Sequence, residues 1–298
     1  MSLTKNQFDI LACLEQEKGA SLTQRELVSR VNKSLGTVNK TVTELGKMGY
    51  VEKRGITEAG IKALEPYRVK RAVFIAAGFG SRLVPITLNT PKPLVRVNGV
   101  RIIDTLLDAA VAAEIEEIYV VRGYLAEQFD QLLYKYPNIK FIENPAYNEA
   151  NNISSAMCAR YHIGGAYVCE ADLLLYNPKL ICKYQYSSNY LAVPVEKTDD
   201  WCFTTSGGVI KELSIGGVNC HHMFGISYWT EYDGARLAEH IKKVYEMPGG
   251  KERYWDQVAL EYYAKEYNIS VRECTFEDLC EIDTYRELKR LDPTYGEA

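Results

Sequence analysis

The chain has 298 residues, 47% apolar and 25% charged, the profile of a folded globular protein and not of a disordered or fibrous one. Its formal net charge is −4, and no apolar run approaches the roughly 18 residues of a membrane helix. The opening stretch, Met1 to Asp9, lacks the apolar centre of a secretory signal, so a cytoplasmic protein with no membrane partner is expected.

Length alone favours about two domains, and charge divides the chain in the same way. Residues 1–67 carry ten Lys and Arg against eight Asp and Glu, whereas the remainder carries 25 against 31. A mildly basic head on an acidic body permits nucleic-acid contact by the head alone. The eight cysteines contain no Cys-x-x-Cys pair, and in an unexported chain they are expected to be reduced and mostly buried. Cys220-His221-His222 has no second donor pair at ligand spacing and reads as a polar loop ahead of a strand.

Helical signals crowd the first 67 residues. Phe8, Ile10, Leu11, Ala12 and Leu14 form the apolar stripe of a first helix. Thr23-Gln24-Arg25-Glu26 is a capping box, flanked by Leu22 and Leu27 at the positions of a hydrophobic staple. A third helix opens at Ser34, with Leu35, Val38, Val42 and Leu45 on its buried face and Thr37, Lys40, Thr41 and Glu44 on the other. Gly49 to Gly55, through Lys53 and Arg54, reads as a short hairpin, and Thr57 opens a fourth helix. Three helices, a hairpin and a helix resemble the winged helix-turn-helix fold of bacterial regulators, chiefly over Leu22–Lys53. The resemblance implies a third helix laid in the DNA major groove, while a structural or dimerising role for this domain competes. Glu65-Pro66-Tyr67-Arg68 reads as the linker to a second domain, residues 71–298.

From Arg71 the pattern changes. Ala72-Val73-Phe74-Ile75-Ala76-Ala77 is a short apolar run, as a strand buried on both faces should be. It leads into Gly78-Phe79-Gly80-Ser81-Arg82-Leu83, and nine residues later Lys92 stands between Pro91 and Pro93. Glycines 78 and 80 let backbone N–H groups approach a polyphosphate. Arg82 suits bidentate phosphate contact, and Lys92 supplies a compact charge. A dinucleotide loop would need a third glycine near position 83, and a Walker loop would need Gly-Lys-Ser/Thr; neither is present. The combined string instead resembles the nucleotidyltransferases that activate sugar 1-phosphates and related phosphomonoesters with a nucleoside triphosphate. Strand-like runs at Glu117–Arg122, Lys140–Glu143, Ala166–Ala171 and Leu191–Val195 follow. Helical stretches at Ile103–Ala113 and Leu125–Tyr136 lie between the early ones. The expected fold class is therefore α/β, with a mostly parallel, mixed Rossmann-like sheet preceded by a small winged-helix domain.

Ala166-Tyr167-Val168-Cys169 ends in Glu170-Ala171-Asp172, a strand-end carboxylate well placed for a metal on the nucleotide phosphate. The resemblance assigns Asp172 that role, Asp256 that of second Mg²⁺ ligand, and Glu170 none. Three further segments, Glu149 to Ser155, Phe224 to Trp229, and Tyr254-Trp255-Asp256 with Glu281-Ile282-Asp283, narrow the likeness to the bacterial CTP:phosphocholine cytidylyltransferases, over about residues 71–291. That likeness implies Ala77, Gly78, Gly80, Ser81, Arg82, Lys92 and Asn151 around the nucleotide, and catalysis by Arg82, Lys92, Asp172 and Asp256. Ala150 and Ser154 depart from it, standing where aromatic residues are expected.

A quaternary ammonium is recognised by aromatic faces and a counter-charge. Trp201, Trp229 and Tyr254, with Glu281, are accordingly the candidate choline site. The expected reaction is Mg²⁺-dependent formation of CDP-choline and pyrophosphate from CTP and phosphocholine. Two alternatives stand beside it: a sugar-1-phosphate nucleotidyltransferase, and a DNA-binding regulator using the transferase domain as a ligand sensor. Oligomeric state is left open.

Overall fold

The computed structural model describes residues 2–17, 22–53 and 55–296; Met1 and Arg54 of the expected elements lie outside them. Backbone packing divides the chain into two compact units. One is Met1–Arg68 with Tyr184–Tyr186, and the other is Val69–Lys183 with Ser187–Ala298.

The first unit contains α1 (Lys5–Gln16), α2 (Gln24–Val31), α3 (Leu35–Lys47), a hairpin of β1 (Val51–Glu52) and β2 (Gly55–Ile56), and α4 (Glu58–Leu64). Thr23 and Glu26 form the capping box at the start of α2, and Ser34 and Thr57 cap α3 and α4. Phe8, Leu11, Leu27, Val38, Leu45 and Leu64 close the core, and Tyr186 stacks on Tyr67 with ring centroids 5.5 Å apart. The buried stripe of α3 differs from expectation at two positions. Leu35, in its first turn, is 48% exposed, whereas Thr41, three residues beyond Val38, is buried. Spacing of three and four from Val38 reaches both Thr41 and Leu45, so the helix turns that hydroxyl inward.

In the second unit, β3 (Arg71–Ile75) leads through the glycine loop to a hairpin of β4 (Arg96–Val97) and β5 (Val100–Arg101). Then follow α5 (Ile102–Ala112), β6 (Glu117–Arg122), β7 (Ile139–Glu143), α6 (Ile153–Ala159), β8 (Ala166–Glu170) and β9 (Leu173–Leu175). Two long strands, β10 (Asn189–Ser206) and β11 (Val209–Trp229), precede α7 (Glu231–Glu246), β12 (Ser270–Glu273), β13 (Leu279–Glu281) and α8 (Tyr285–Leu291). Among the described residues, seven strands form one sheet in the order β10-β12-β11-β8-β3-β6-β7. Strands β8, β3, β6 and β7 run parallel to their neighbours, and β11 lies antiparallel to β8. The fold is thus mixed α/β with a mostly parallel centre.

Both faces of β3 are covered, which explains its continuous apolar run. Ala72 and Phe74 pack with α5 on one face, and Val73 packs with α6 and α7 on the other. The chain leaves β3 towards β6 and β7 on one side and returns as β8 on the other. Such a reversal opens a crevice at the carboxyl ends of the two strands.

Two expectations fail locally. Residues Ala126–Tyr134 form 3₁₀ turns instead of an α-helix; Phe129 and Leu132 are its buried contacts, and a spacing of three suits a three-residue turn. Cys220, His221 and His222 lie inside β11, not in a loop. His222 pairs with Thr198 Oγ1 through Nδ1 at 3.0 Å, and His221 meets Glu273. All eight cysteines are free, four of them buried. Among the described residues no helix is long and apolar enough to cross a membrane.

Candidate active site

Ile75 is paired in register with Glu170 across β3 and β8, so the glycine loop and the strand-end carboxylates leave the sheet at one rim. There they border a cleft of about 510 Å³. Gly80 has φ +68°, and a Cβ on it would come within 2.9 Å of Lys92 Cβ. Glycine is thus required both for the left-handed turn and for the close approach of Lys92. A 3₁₀ turn, Ser81–Leu83, then presents Arg82, whose side chain is 65% exposed.

Arg82 donates to both carboxylate oxygens of Asp283, at 3.0 and 2.6 Å. Lys92 Nζ donates to Asp172 Oδ2 at 2.8 Å and to Asp283 Oδ1 at 3.1 Å. Burial alone would lower the Lys92 pKa, but Asp172, Asp283 and Glu281 outweigh it and hold it above its ordinary value. This lysine stays charged. Asp172 follows β8 directly, and Glu281 reaches it because β13 pairs with β9, Glu281 opposite Leu173. The backbone N–H of Asp283 is held by Glu287 Oε2 at 2.9 Å, part of the capping box of α8.

Glu170, Asp172 and Glu281 bring one oxygen each within 4.8 Å of one another. Burial, then crowding by Asp172, raises the carboxyls of both Glu170 and Glu281 well above the usual range. Gly225 makes room for this: on the adjoining strand, a Cβ there would lie 2.7 Å from Glu170 Cγ. Asn152 Nδ2 donates to Glu170 Oε1 at 2.9 Å. Trp201 and Tyr254 also line the cleft and meet edge to face, centroids 5.7 Å apart at 67°, with Asp200 lining it next to them. Asp256 Oδ1 accepts from the buried Tyr190 hydroxyl at 2.8 Å. Burial raises the Asp256 carboxyl to about 7, although that hydrogen bond opposes the shift.

Residues 71–188 match the nucleotidyl transferase family, and residues 3–52 match a winged helix-turn-helix DNA-binding family. A 2-aminoethylphosphonate cytidylyltransferase of Lancefieldella rimae is 36% identical over 228 residues, 75% of this chain and 92% of that protein. A choline-phosphate cytidylyltransferase of Haemophilus influenzae is 31% identical over 229 residues, 74% and 97% of the two chains. The solved structure of CTP:phosphocholine cytidylyltransferase from Streptococcus pneumoniae superposes with a TM-score of 0.69 at 29% identity, covering 76% of this chain and 99% of that one. This chain belongs to the cytidylyltransferase family.

Cytidylyltransferases and their nucleotidyltransferase relatives use a divalent cation, and the residues here fit one. Three hard oxygen donors converge, and Asp172 Oδ1 is buried with no hydrogen-bond partner, the donor set that Mg²⁺ and its like prefer. Of the expected pair of ligands, Asp172 is in the trio, and Asp256 lines the same cleft with its Oδ1 engaged by Tyr190. Glu170, given no metal role from sequence, lies in the trio with Glu281.

The other expected site residues sort by their distance from the rim. Gly78, Gly80, Ser81, Asn151, Trp201 and Tyr254 border the cleft. Ala77 is buried beneath it, its carbonyl accepting from the Tyr124 N–H. Trp229 is fully buried, with its indole Nε1 donating to Ser227 Oγ and its ring against Tyr190 and Tyr267. Because β11 runs antiparallel to β8, Trp229 pairs with Ala166, at the end of the sheet opposite the rim. It is a core residue, not a wall of the acceptor site. Asp200 and Asp283 carried no expected role, whereas Asn152, a neighbour of Asn151 in the segment expected to border the nucleotide, lines the cleft. A signal for Asp283 was available, since its spacing of two from Glu281 directs both to one side of an extended segment.

Proposed function

We propose that this cytidylyltransferase transfers CMP from CTP to a small phosphonate or phosphomonoester carrying a cationic amine. The supporting observation is the single cleft at which Arg82, Lys92, the acidic trio and the Trp201–Tyr254 pair meet. In this reading an acceptor oxygen attacks the α-phosphorus of CTP while the bond to pyrophosphate breaks. A phosphomonoester, with its second pKa near about 6, is largely dianionic at neutral pH and needs no general base. The work of the site is electrostatic: two anions must meet, and the leaving pyrophosphate must be stabilised. Lys92, buried and firmly charged, serves the reacting phosphates, and the exposed Arg82 receives the outer ones. A divalent ion held by Asp172, Glu170 and Glu281 supplies, when bound, Lewis-acid charge that offsets the negative charge of the nucleotide.

For the acceptor, we favour a primary amine such as 2-aminoethylphosphonate over phosphocholine. With Trp229 in the core, two rings remain of the three expected for a quaternary cage. A primary ammonium has three N–H donors and wants oxygen acceptors, which Asp200, next to Trp201, offers in the same cleft. The deciding experiment is a pyrophosphate-release screen that crosses CTP, UTP and dTTP with 2-aminoethylphosphonate, phosphoethanolamine, phosphocholine and hexose 1-phosphates. Highest kcat/KM is expected for CTP with 2-aminoethylphosphonate. A preference for phosphocholine would return the acceptor to the quaternary amine, and a preference for hexose 1-phosphate with UTP or dTTP would overturn the reading.

For the winged-helix unit we propose DNA contact through α3, on which Lys40 and Thr43 are exposed and over which the family match extends. Gel shifts against genomic fragments, with and without CTP and product, test this. No shift under any condition would leave the unit a structural module.

A further inference from the structure

Asn151 and Asn152 form the turn before α6, and Asn152 uses both ends of its amide. Its Nδ2 donates to Glu170 Oε1 at 2.9 Å, and its Oδ1 accepts from the Trp255 backbone N–H at 2.9 Å. The partners fix this orientation. A backbone N–H can only donate, so it takes the oxygen, and a carboxylate accepts the NH₂ in a charge-assisted bond. Asn151 anchors the same segment, its N–H to Lys251 O at 2.7 Å and its Nδ2 to Glu252 O at 3.2 Å. The two asparagines therefore clasp residues 251–255. That segment carries Tyr254 and leads into Asp256, while the other end of Asn152 reaches the acidic trio.

We infer that Asn152 is a positioning residue that sets the separation between the phosphate-and-metal side of the cleft and its acceptor wall. It borders the cleft, and both ends of its amide are engaged, by Glu170 on one side and by the Trp255 backbone on the other, so it acts through them. The assignment rests on the proposed reaction for its kinetic consequences, but not for its effect on cation binding. Asparagine is matched to both partners. Aspartate keeps the oxygen for Trp255 and sets a second carboxylate against Glu170; alanine loses both bonds.

The test uses the full chain with Asn152→Asp and Asn152→Ala. Binding of Mn²⁺, measured calorimetrically without substrates, should weaken by about 10- to 100-fold in Asn152→Ala, the usual effect of removing a group that orients a ligand, whereas Asn152→Asp, which adds a carboxylate beside the trio, should not weaken it. In steady-state assays Asn152→Asp should lower kcat and leave acceptor KM near wild type, because the Trp255 contact survives. Asn152→Ala should in addition raise acceptor KM several-fold, with KM for CTP changed much less. Combining Asn152→Ala with Glu170→Gln should reduce Mn²⁺ affinity no further than Glu170→Gln alone, since partners in one contact are not additive. Wild-type Mn²⁺ affinity in Asn152→Ala overturns the assignment, and so do equal rises in both KM values or full additivity with Glu170→Gln. If Asn152→Ala does not fold, the near-isosteric Asn152→Asp carries the decision through its kcat, and a wild-type kcat there overturns the assignment. A wild-type chain inactive towards every acceptor sinks the proposed reaction and leaves the Mn²⁺ measurement standing.

Discussion

In one part of the cleft Arg82 and Lys92 are held among carboxylates, each through two hydrogen bonds. In another part, Trp201 and Tyr254 touch edge to face, and Tyr254 is 42% exposed. The charged side rests on the central strands β3 and β8 and is preorganised by them. The aromatic side rests on β10 and on the segment clasped by Asn151 and Asn152, away from the parallel centre. Preorganised charge is what phosphoryl transfer needs, so in the proposed reaction the chemistry falls to the charged part. Choice of acceptor would then fall to the aromatic part, built from peripheral elements, where the 2-aminoethylphosphonate and choline-phosphate relatives can diverge.

This contrast can be broken by three measurements beyond those above. Lys92→Ala should have the largest effect, lowering kcat by about 10²–10³, the scale of deleting one preorganised donor. Arg82→Ala should lower it by less, since that side chain is exposed and partly screened. Equal kcat for wild type and Lys92→Ala would move the chemistry away from this rim. Trp201→Ala should come next, raising acceptor KM by about 2- to 30-fold, the range of one cation–π contact, with KM for CTP nearly unchanged. Equal rises in the two constants would mark Trp201 as packing alone.

The smallest effect concerns stability. Burial raises the Asp256 carboxyl from its ordinary value to about 7, so between about pH 4 and 7 the folded state binds a proton that the unfolded chain has lost. This group's contribution therefore falls as pH rises through that window. Urea melts in chelator should show a shallower decline for Asp256→Asn than for wild type. Parallel slopes would mean that the group does not titrate there.

Much of the charged side was legible in sequence because its cues are local. A continuous apolar run implies a strand covered on both faces, and the glycines and flanking cations follow within twenty residues. Capping boxes made the start of α2 legible for the same reason. What escaped depends on pairing between distant segments. Whether Trp229 reaches the rim is set by the antiparallel register of β11 on β8, which no local pattern states. Glu170 belongs with Asp172 and Glu281 because Gly225 on the neighbouring strand leaves space for its side chain, and because β13 returns against β9. Asn152 was visible as part of a motif, but its partner at 255 lies 103 residues away.

The bidentate grip of Asp283 on Arg82, shared with Lys92, has a consequence for selectivity. An arriving polyanion does not meet bare cations; it must displace an anion already tethered to the same backbone. Chloride or a lone sulfate competes poorly against such an internal rival, while a triphosphate, engaging both cations and bringing several charges at once, can win the exchange. In the proposed reaction, Asp283 would thus favour the triphosphate over simple salts by occupying the receptor in their place.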